Sequence, residues 1–226
     1  MTVTGHSPGE VFVTMLSPED IAAFTERSTP RTFARGHALL YEGQLPDRVL
    51  LLISGRVKVY RATSDGREVV LAIRGPGELV GEQAAIAEVP RSASVVAIEK
   101  VEAHCLSPAE FVDFLVDRPR AMLALLRMLT RRLRDADDKR VEFTALTTMG
   151  RVAMRLVELG DAWGRREGDV IRIALPLSQE ELAGFTGASV ESVGRAVWIQ
   201  PNARICCRAR REIRILDIDA LRHAAA

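Results

Sequence analysis

Between residues 31 and 106 the chain repeats one pattern: a short run of Val, Ile and Leu, then a glycine or a cluster of turn formers. The apolar runs fall at 37–41, 49–54, 56–61, 68–73, 94–98 and 101–106. The breaks between most of them carry Glu42-Gly43, Ser54-Gly55, Ser64-Asp65-Gly66 and Gly75-Pro76-Gly77. Runs this short bury their side chains only by pairing edge to edge, so many of them at this spacing point to a β-barrel or jelly roll. Asp65-Gly66, between Val57-x-Val59 and Val69-Val70-Leu71, reads as a hairpin tip. Ahead of the barrel, Ser17-Pro18-Glu19-Asp20 opens a small helix, with Ser17 as its cap and Pro18 in the first position.

A different texture follows. From 119 to 146 the residues Met122, Leu126, Leu129, Leu133, Ala136, Arg140 and Phe143 alternate steps of four and three, which is a heptad seam. Leu125 and Met128 widen the apolar stripe at its start, enough to pack on the barrel as well. Roughly 28 residues without Gly or Pro after Pro119 make a helix about 40 Å long. That length favours a parallel dimer helix over an amphipathic helix buried in its own domain. Helical periodicity resumes at Val152, Met154, Leu156, Val157 and Leu159. A Gly-rich turn at Gly160, Gly164 and Gly168 and a strand-like stretch at 170–175 come next. Ser178 with Glu181 three residues later is a capping box for a short helix that meets Gly187, a residue able to take the positive φ of a tight turn. Ser189 caps a second helix carrying Val190, Val193 and Val197. Helix, glycine turn, helix is the helix-turn-helix pattern, although any α-hairpin produces it.

Charge and cysteine usage narrow the class. The formal charge is +1, from 31 basic and 30 acidic side chains, but residues 150–226 carry twelve basic against ten acidic. Arg204, Arg208, Arg210, Arg211 and Arg214 face only Glu212, a density that suits a polyanion such as DNA or forms a solvated basic face. Cys105, Cys206 and Cys207 have no framework spacing, so neither a disulfide scaffold nor a zinc finger is expected, and a cytoplasmic chain is. No uncharged apolar run approaches the ~20 residues of a membrane helix, and no signal peptide is readable at the N-terminus. His37 and His104 stand alone and no Ser-His-Asp or Cys-His arrangement is visible, so neither a metal site nor an enzyme is expected.

The densest chemistry lies at Pro76-Gly77-Glu78-Leu79-Val80-Gly81-Glu82, followed by Arg91-Ser92-Ala93-Ser94. Gly81 lets backbone approach a ligand without a Cβ in the way. Glu82 can accept from a ribose 2′-hydroxyl. Arg91 offers a planar fork for a phosphate, and Ser92 adds a hydroxyl and an N–H. A plain Glu82–Arg91 surface pair beside a turn is the other reading of that spacing.

With Gly43, Gly55 and Gly66 at barrel turns, the Gly81-Glu82…Pro90-Arg91-Ser92-Ala93 element, the dimer helix, Gly150-Arg151-Val152-Ala153 and the C-terminal motif in this order, the chain resembles the cyclic-AMP receptor protein family of bacterial transcription regulators. The resemblance runs from about Phe33 into the helix-turn-helix. It implies an α+β chain: a jelly-roll sensor at 1–118, a dimerisation helix at 119–146 and a winged helix-turn-helix at 147–226. It also implies that Glu82 holds the ribose and Arg91 the cyclic phosphate, with Ser92 assisting. Where family members read the adenine amino group from the dimer helix, this chain has Ala136, which has no acceptor, and Asp137, which has one. The residue after Gly81-Glu82 is Gln83 in place of the family's apolar residue. The iron–sulfur sensors of the superfamily need clustered cysteines, and this sensor half has only Cys105; a small buried hydrophobe is the reading for it.

In the recognition helix the family's Ser-Arg-Glu-Thr-Val-x-Arg becomes Ser189-Val190-Glu191-Ser192-Val193-Gly194-Arg195. Glu191 and Arg195 keep base- or phosphate-directed chemistry. Val190 removes one bidentate base contact, worth about 1–3 kcal/mol of discrimination. Ser178, Gln179, Ser189, Val190, Glu191 and Arg195 are the candidate DNA-binding set. Between 197 and 211 the length suits a family wing and the content does not, with Pro201 in place of a glycine turn. Two compensating frameshifts or a divergent wing explain this, and translating the neighbouring frames of the coding DNA separates them. The expected protein is a homodimeric regulator of palindromic double-stranded DNA, gated by a small effector such as cAMP, without a resident cofactor, and with RNA polymerase as a further partner. An effector-independent regulator and a nucleotide-binding dimer with impaired DNA binding are the alternatives.

Overall fold

The run Val49-Leu50-Leu51-Leu52 lacks alternation because both of its faces are covered: all four residues are at most 1% exposed. The computed structural model describes residues 11–198, 206–209 and 212–225. After a 3-10 turn at Phe12–Met15 and helix α1 (Pro18–Arg27) come strands β1 (Thr29–Phe33), β2 (Ala38–Leu40), β3 (Val49–Ser54), β4 (Val57–Ala62), β5 (Glu68–Arg74) and β6 (Leu79–Val80). Helix α2 (Glu82–Ala87), strands β7 (Ser94–Ala97) and β8 (Val101–Leu106), and helices α3 (Pro108–Asp117) and α4 (Pro119–Ala145) follow. The strands form two four-stranded sheets, in the orders β1-β8-β3-β6 and β2-β7-β4-β5. Leu50 and Leu52 face the inter-sheet core with Val57, Val95 and Ala97. Val49 and Leu51 face the helices, in a cluster with Phe24, Phe111 and Phe114. Each such side chain contributes roughly 1.5–3 kcal/mol by burial.

The fold expected from the sequence is the fold found. Ser17 caps α1 by accepting from the Asp20 N–H at 3.2 Å. The hairpin tip closes by the Gly66 N–H donating to Thr63 O at 2.9 Å. Strand β1 was not expected, because an exposed edge strand reading Thr-Pro-Arg-Thr-Phe has no apolar period; Pro30 is tolerated there, opposite His104. Along α4, Ala124, Leu125 and Met128 are buried in the helix-facing cluster, whereas the seam residues Leu126 and Leu133 are 55% and 64% exposed.

The chain divides into two compact units, one from Gly9–Gly66 and Val70–Asp135, the other from Ala136–Ala226 with Arg67–Val69. In the second, helix α5 (Thr148–Trp163) leads into strands β9 (Gly164–Glu167) and β10 (Val170–Ile173), helices α6 (Gln179–Thr186) and α7 (Val190–Trp198), strands β11 (Cys206–Ala209) and β12 (Glu212–Ile215), and helix α8 (Ile218–Ala224). The sheet order is β11-β12-β10-β9. The segment expected to be a Gly-rich turn is divided among three structures. Gly160 lies within α5, Gly164–Glu167 is a strand paired to β10, and the turn falls at Gly168. Ile173, Leu175, Leu182, Val193, Ile213 and Ile215 make the core of this unit. Residues 199–205, 210 and 211, where most of the anomalous wing sequence falls, lie outside the described residues; β11 pairs antiparallel with β12, Cys206 opposite Ile215. Among the described residues no helix is long and apolar enough to cross a membrane.

Candidate functional site

Gly81 joins β6 to α2 at φ +87°, a left-handed backbone, and a Cβ there would lie 2.8 Å from Arg91 Nη1 and 2.9 Å from Leu40 Cδ1. Both the backbone and the neighbours therefore require glycine. The Arg91 side chain is buried against this bare backbone, the residue being 4% exposed. Its Nη2 donates to Arg48 O at 2.8 Å and to Asp47 Oδ1 at 2.9 Å, while its Nη1 is buried with no hydrogen-bond partner among the described residues. The loop that supplies Asp47 is fastened to Arg91 by main chain: the Gly43 N–H donates to Arg91 O at 2.8 Å and the Arg91 N–H to Gln44 O at 2.9 Å. Burial pushes the Asp47 carboxyl up, but hydrogen bonds from Arg48 and Arg91 outweigh it and leave the group below its ordinary value.

Glu82 is 2% exposed and does not pair with Arg91. Its Oε1 accepts from Arg132 Nη1 at 2.7 Å, and Arg132 Nη2 donates to Leu79 O at 2.9 Å. Burial lowers the Arg132 pKa, and the charge of Glu82 opposes that. The plain Glu82–Arg91 surface pair is thus replaced by two separate sets, buried Arg91 with exposed Asp47 and buried Glu82 with Arg132. The partners Asp47, Arg48 and Arg132 were not visible in the sequence, because contacts across 44 and 50 residues leave no spacing to read. Ser92 and Gln83 are exposed beside this site. Asp137 and Ala136 are exposed on α4, in the stretch belonging to the second compact unit. Cys105 is half-buried, and burial pushes its thiol up, against the nearby Arg48 and Arg31, so the reactive thiolate is disfavoured.

In the helix-turn-helix, Ser178 and Glu181 complete the capping box. Ser178 Oγ accepts from the Glu181 N–H at 3.0 Å, and Glu181 Oε2 accepts from the Ser178 N–H at 2.7 Å. Gln179 is half-buried behind it. Gly187 ends α6 at φ +62°. Ser189 caps α7, accepting from the Ser192 N–H at 3.1 Å and donating to Ser192 Oγ at 2.9 Å. Val193, 1% exposed, anchors α7 inward, which leaves Ser189, Val190 and Glu191 of its first turn open to solvent. The Arg195 side chain lies outside the described residues.

A jelly-roll unit with a buried arginine fork, followed by a winged helix-turn-helix, is the architecture of a DNA-binding regulator that carries a separate β-barrel domain. The comparisons agree. The cyclic nucleotide-binding domain profile matches residues 30–118 and the Crp-like helix-turn-helix profile residues 150–224. The CRP-like cAMP-activated global transcriptional regulator of Mycobacterium tuberculosis is 37% identical over 182 residues, 80% of this chain and 81% of that protein. Among solved structures, the c-di-GMP-responsive regulator CLP of Xanthomonas campestris superposes with a TM-score of 0.76 at 23% identity, covering 88% of this chain and 99% of that one. FixK2 of Bradyrhizobium japonicum superposes with a TM-score of 0.75 at 22%, covering 88% and 98%; both likenesses concern the fold alone. The chain belongs to the CRP/FNR family. It is a DNA-binding transcription regulator with a cyclic nucleotide-binding domain, and not an enzyme.

Proposed function

We propose that this regulator is a homodimer whose affinity for a palindromic operator is set by a cyclic nucleotide, cAMP in the first instance, bound in the barrel. Arg91 takes the cyclic phosphate, Glu82 the ribose 2′-hydroxyl, and Ser92 assists at the phosphate. Asp137, from its place in the chain, is the candidate acceptor for an amino group of the base. The observation that carries the reading is the Nη1 of Arg91, without a hydrogen-bond partner among the described residues and buried at Gly81 where no side chain fits. A buried donor left unsatisfied costs about 1–3 kcal/mol, and an anionic oxygen beside it removes that cost. The relative at 37% identity is cAMP-activated by name, which supports cAMP as the first ligand to try.

On this reading residues 1–118 are the sensor, 119–146 the dimerisation helix and 147–226 the DNA-binding domain. The exposed apolar seam at Met122, Leu126 and Leu133 supports a parallel dimer. A two-fold dimer of helix-turn-helix units reads half-sites about one helical turn apart, with Ser178, Gln179, Ser189, Val190, Glu191 and Arg195 toward the DNA. RNA polymerase is a further partner we assign to the bound complex, and the cytoplasm is the compartment. One observation favours a second reading, an effector-independent regulator: Asp47 already supplies Arg91 with an anion at 2.9 Å. Calorimetric titration of the purified chain with cAMP and cyclic GMP separates the two. Saturable micromolar binding near one site per chain, weakened at least tenfold by Arg91→Ala, supports the gated regulator. No binding of either nucleotide by the folded dimer overturns it in favour of the second reading or of another effector.

A further inference from the structure

The turn of the helix-turn-helix is tied to more than its own two helices. Helix α6 ends at Gly187, and the last carbonyls of a helix have no partner within it. Arg151, in the first turn of α5, reaches two carbonyls there: its Nε donates to Thr186 O and its Nη2 to Gly187 O, both at 3.4 Å. The same guanidinium donates through Nη1 to Leu146 O at 3.1 Å, just past the end of α4, and through Nη2 to Thr148 Oγ1 at 3.4 Å. It also lies over the Phe143 ring, 4.8 Å from the centroid. Phe143 in turn closes on the turn itself, since a Cβ on Gly187 would sit 3.3 Å from its Cε2. A second cation–ring contact, Lys139 Nζ over Phe185 at 5.5 Å, joins the last turns of α4 to α6. All of these residues belong to the same compact unit.

Three of the four Arg151 hydrogen bonds are long, so no single one is strong. What the guanidinium has is number and direction: a planar fork serves several acceptors around its edge while its face lies on an aromatic ring. A lysine ammonium keeps the charge and loses that geometry. We propose that Arg151 is the positioning residue of the recognition helix: by fastening the α6–α7 turn to the end of α4, it sets the direction from which α7 enters the groove. This rests on α7 being the DNA-reading helix, and it assigns the control of its direction to a residue outside the motif.

The test uses the full-length protein and a palindromic duplex selected by the wild type from a randomised pool. Arg151→Lys is expected to weaken that duplex by about tenfold or more. Affinity for random-sequence DNA, the salt slope of binding and the thermal midpoint are expected to stay near wild type, since no phosphate contact is lost. Phe143→Leu, which keeps an apolar residue in the heptad seam and removes the ring face, is expected to act in the same direction. The double variant should lose little more than the larger single loss, because the two side chains act as one unit. If Arg151→Lys lowers the thermal midpoint, Phe143→Leu alone decides. Wild-type affinity for the selected duplex in both variants overturns the proposal. So does a salt slope reduced by about one phosphate contact in Arg151→Gln, which removes the charge that lysine keeps; that result would make Arg151 a direct DNA ligand. A wild-type chain that selects no duplex removes the reading of α7 itself and this inference with it.

Discussion

At Arg91 the two ends of one guanidinium are in different states, and that difference yields sharp expectations for its neighbours. Nη2 is held by Asp47 and the Arg48 carbonyl; Nη1 faces Gly81 without a hydrogen-bond partner among the described residues. Gly81→Ala would add a methyl 2.8 Å from Nη1 and impose about 1–2 kcal/mol of left-handed backbone strain, so Arg91 must move. We expect cyclic-nucleotide binding to fall at least tenfold in that variant, measured by calorimetry, with the barrel still folded by circular dichroism. Asp47 has two opposed effects on an anionic ligand: it orients the fork and it repels the charge. Asp47→Asn keeps an acceptor oxygen and removes the charge, so it should bind the nucleotide more tightly than wild type. Asp47→Ala removes the anchor as well and should bind more weakly than Asp47→Asn. Because the Asp47 carboxyl is held below its ordinary value of about 3.9, its contribution to stability is complete above that pH and is lost only as the pH falls through the lowered folded value. The ratio of Asp47→Asn to wild-type affinity should therefore be flat from pH 5 to 8, and a slope there would assign the effect to another group.

Helix α4 presents two apolar faces with different duties. Ala124, Leu125 and Met128 complete the core of their own unit, while Leu126 and Leu133 stand exposed one heptad apart. Leu126→Glu with Leu133→Glu places like charges across a parallel seam, so sedimentation should show a monomer whose barrel still binds nucleotide; Leu125→Glu should instead unfold the barrel. A persistent dimer in the double glutamate variant would move the interface elsewhere. These faces were legible in the sequence because a helix writes its neighbours into a fixed period, and the Ser178–Glu181 capping box and the Gly187 turn were legible for the same local reason. Strands β1 and β9 were not. Thr29–Phe33 and Gly164–Glu167 are edge strands with mostly exposed side chains, and apart from Phe33 nothing apolar marks them. The candidate site divides along the same line: Gly81, Glu82 and Arg91 are recognisable as residue types at a spacing, but Asp47 and Arg132 come from distant stretches of chain and only the folded barrel brings them in.

For the whole molecule, the proposed gating is a coupling between two sites that share no residue: Arg91 and Glu82 in one compact unit, α7 in the other. Such a coupling is a free energy and is reciprocal, so whatever factor the nucleotide adds to operator affinity, the operator must add to nucleotide affinity. A nucleotide that bound both DNA-competent and DNA-incompetent states equally would shift nothing, however tightly it bound. The expectation is therefore quantitative. Operator affinity is measured with and without saturating cAMP, and cAMP affinity with and without saturating selected duplex, at one fixed salt concentration because the DNA term depends steeply on salt. The two ratios should agree and exceed about fivefold, the lower end of typical allosteric couplings. A ratio of one in both pairs would leave a nucleotide-binding dimer whose DNA affinity ignores its ligand. Ratios that exceed one but disagree would show that the dimer dissociates within the cycle, which the double glutamate variant of α4 would reproduce in isolation.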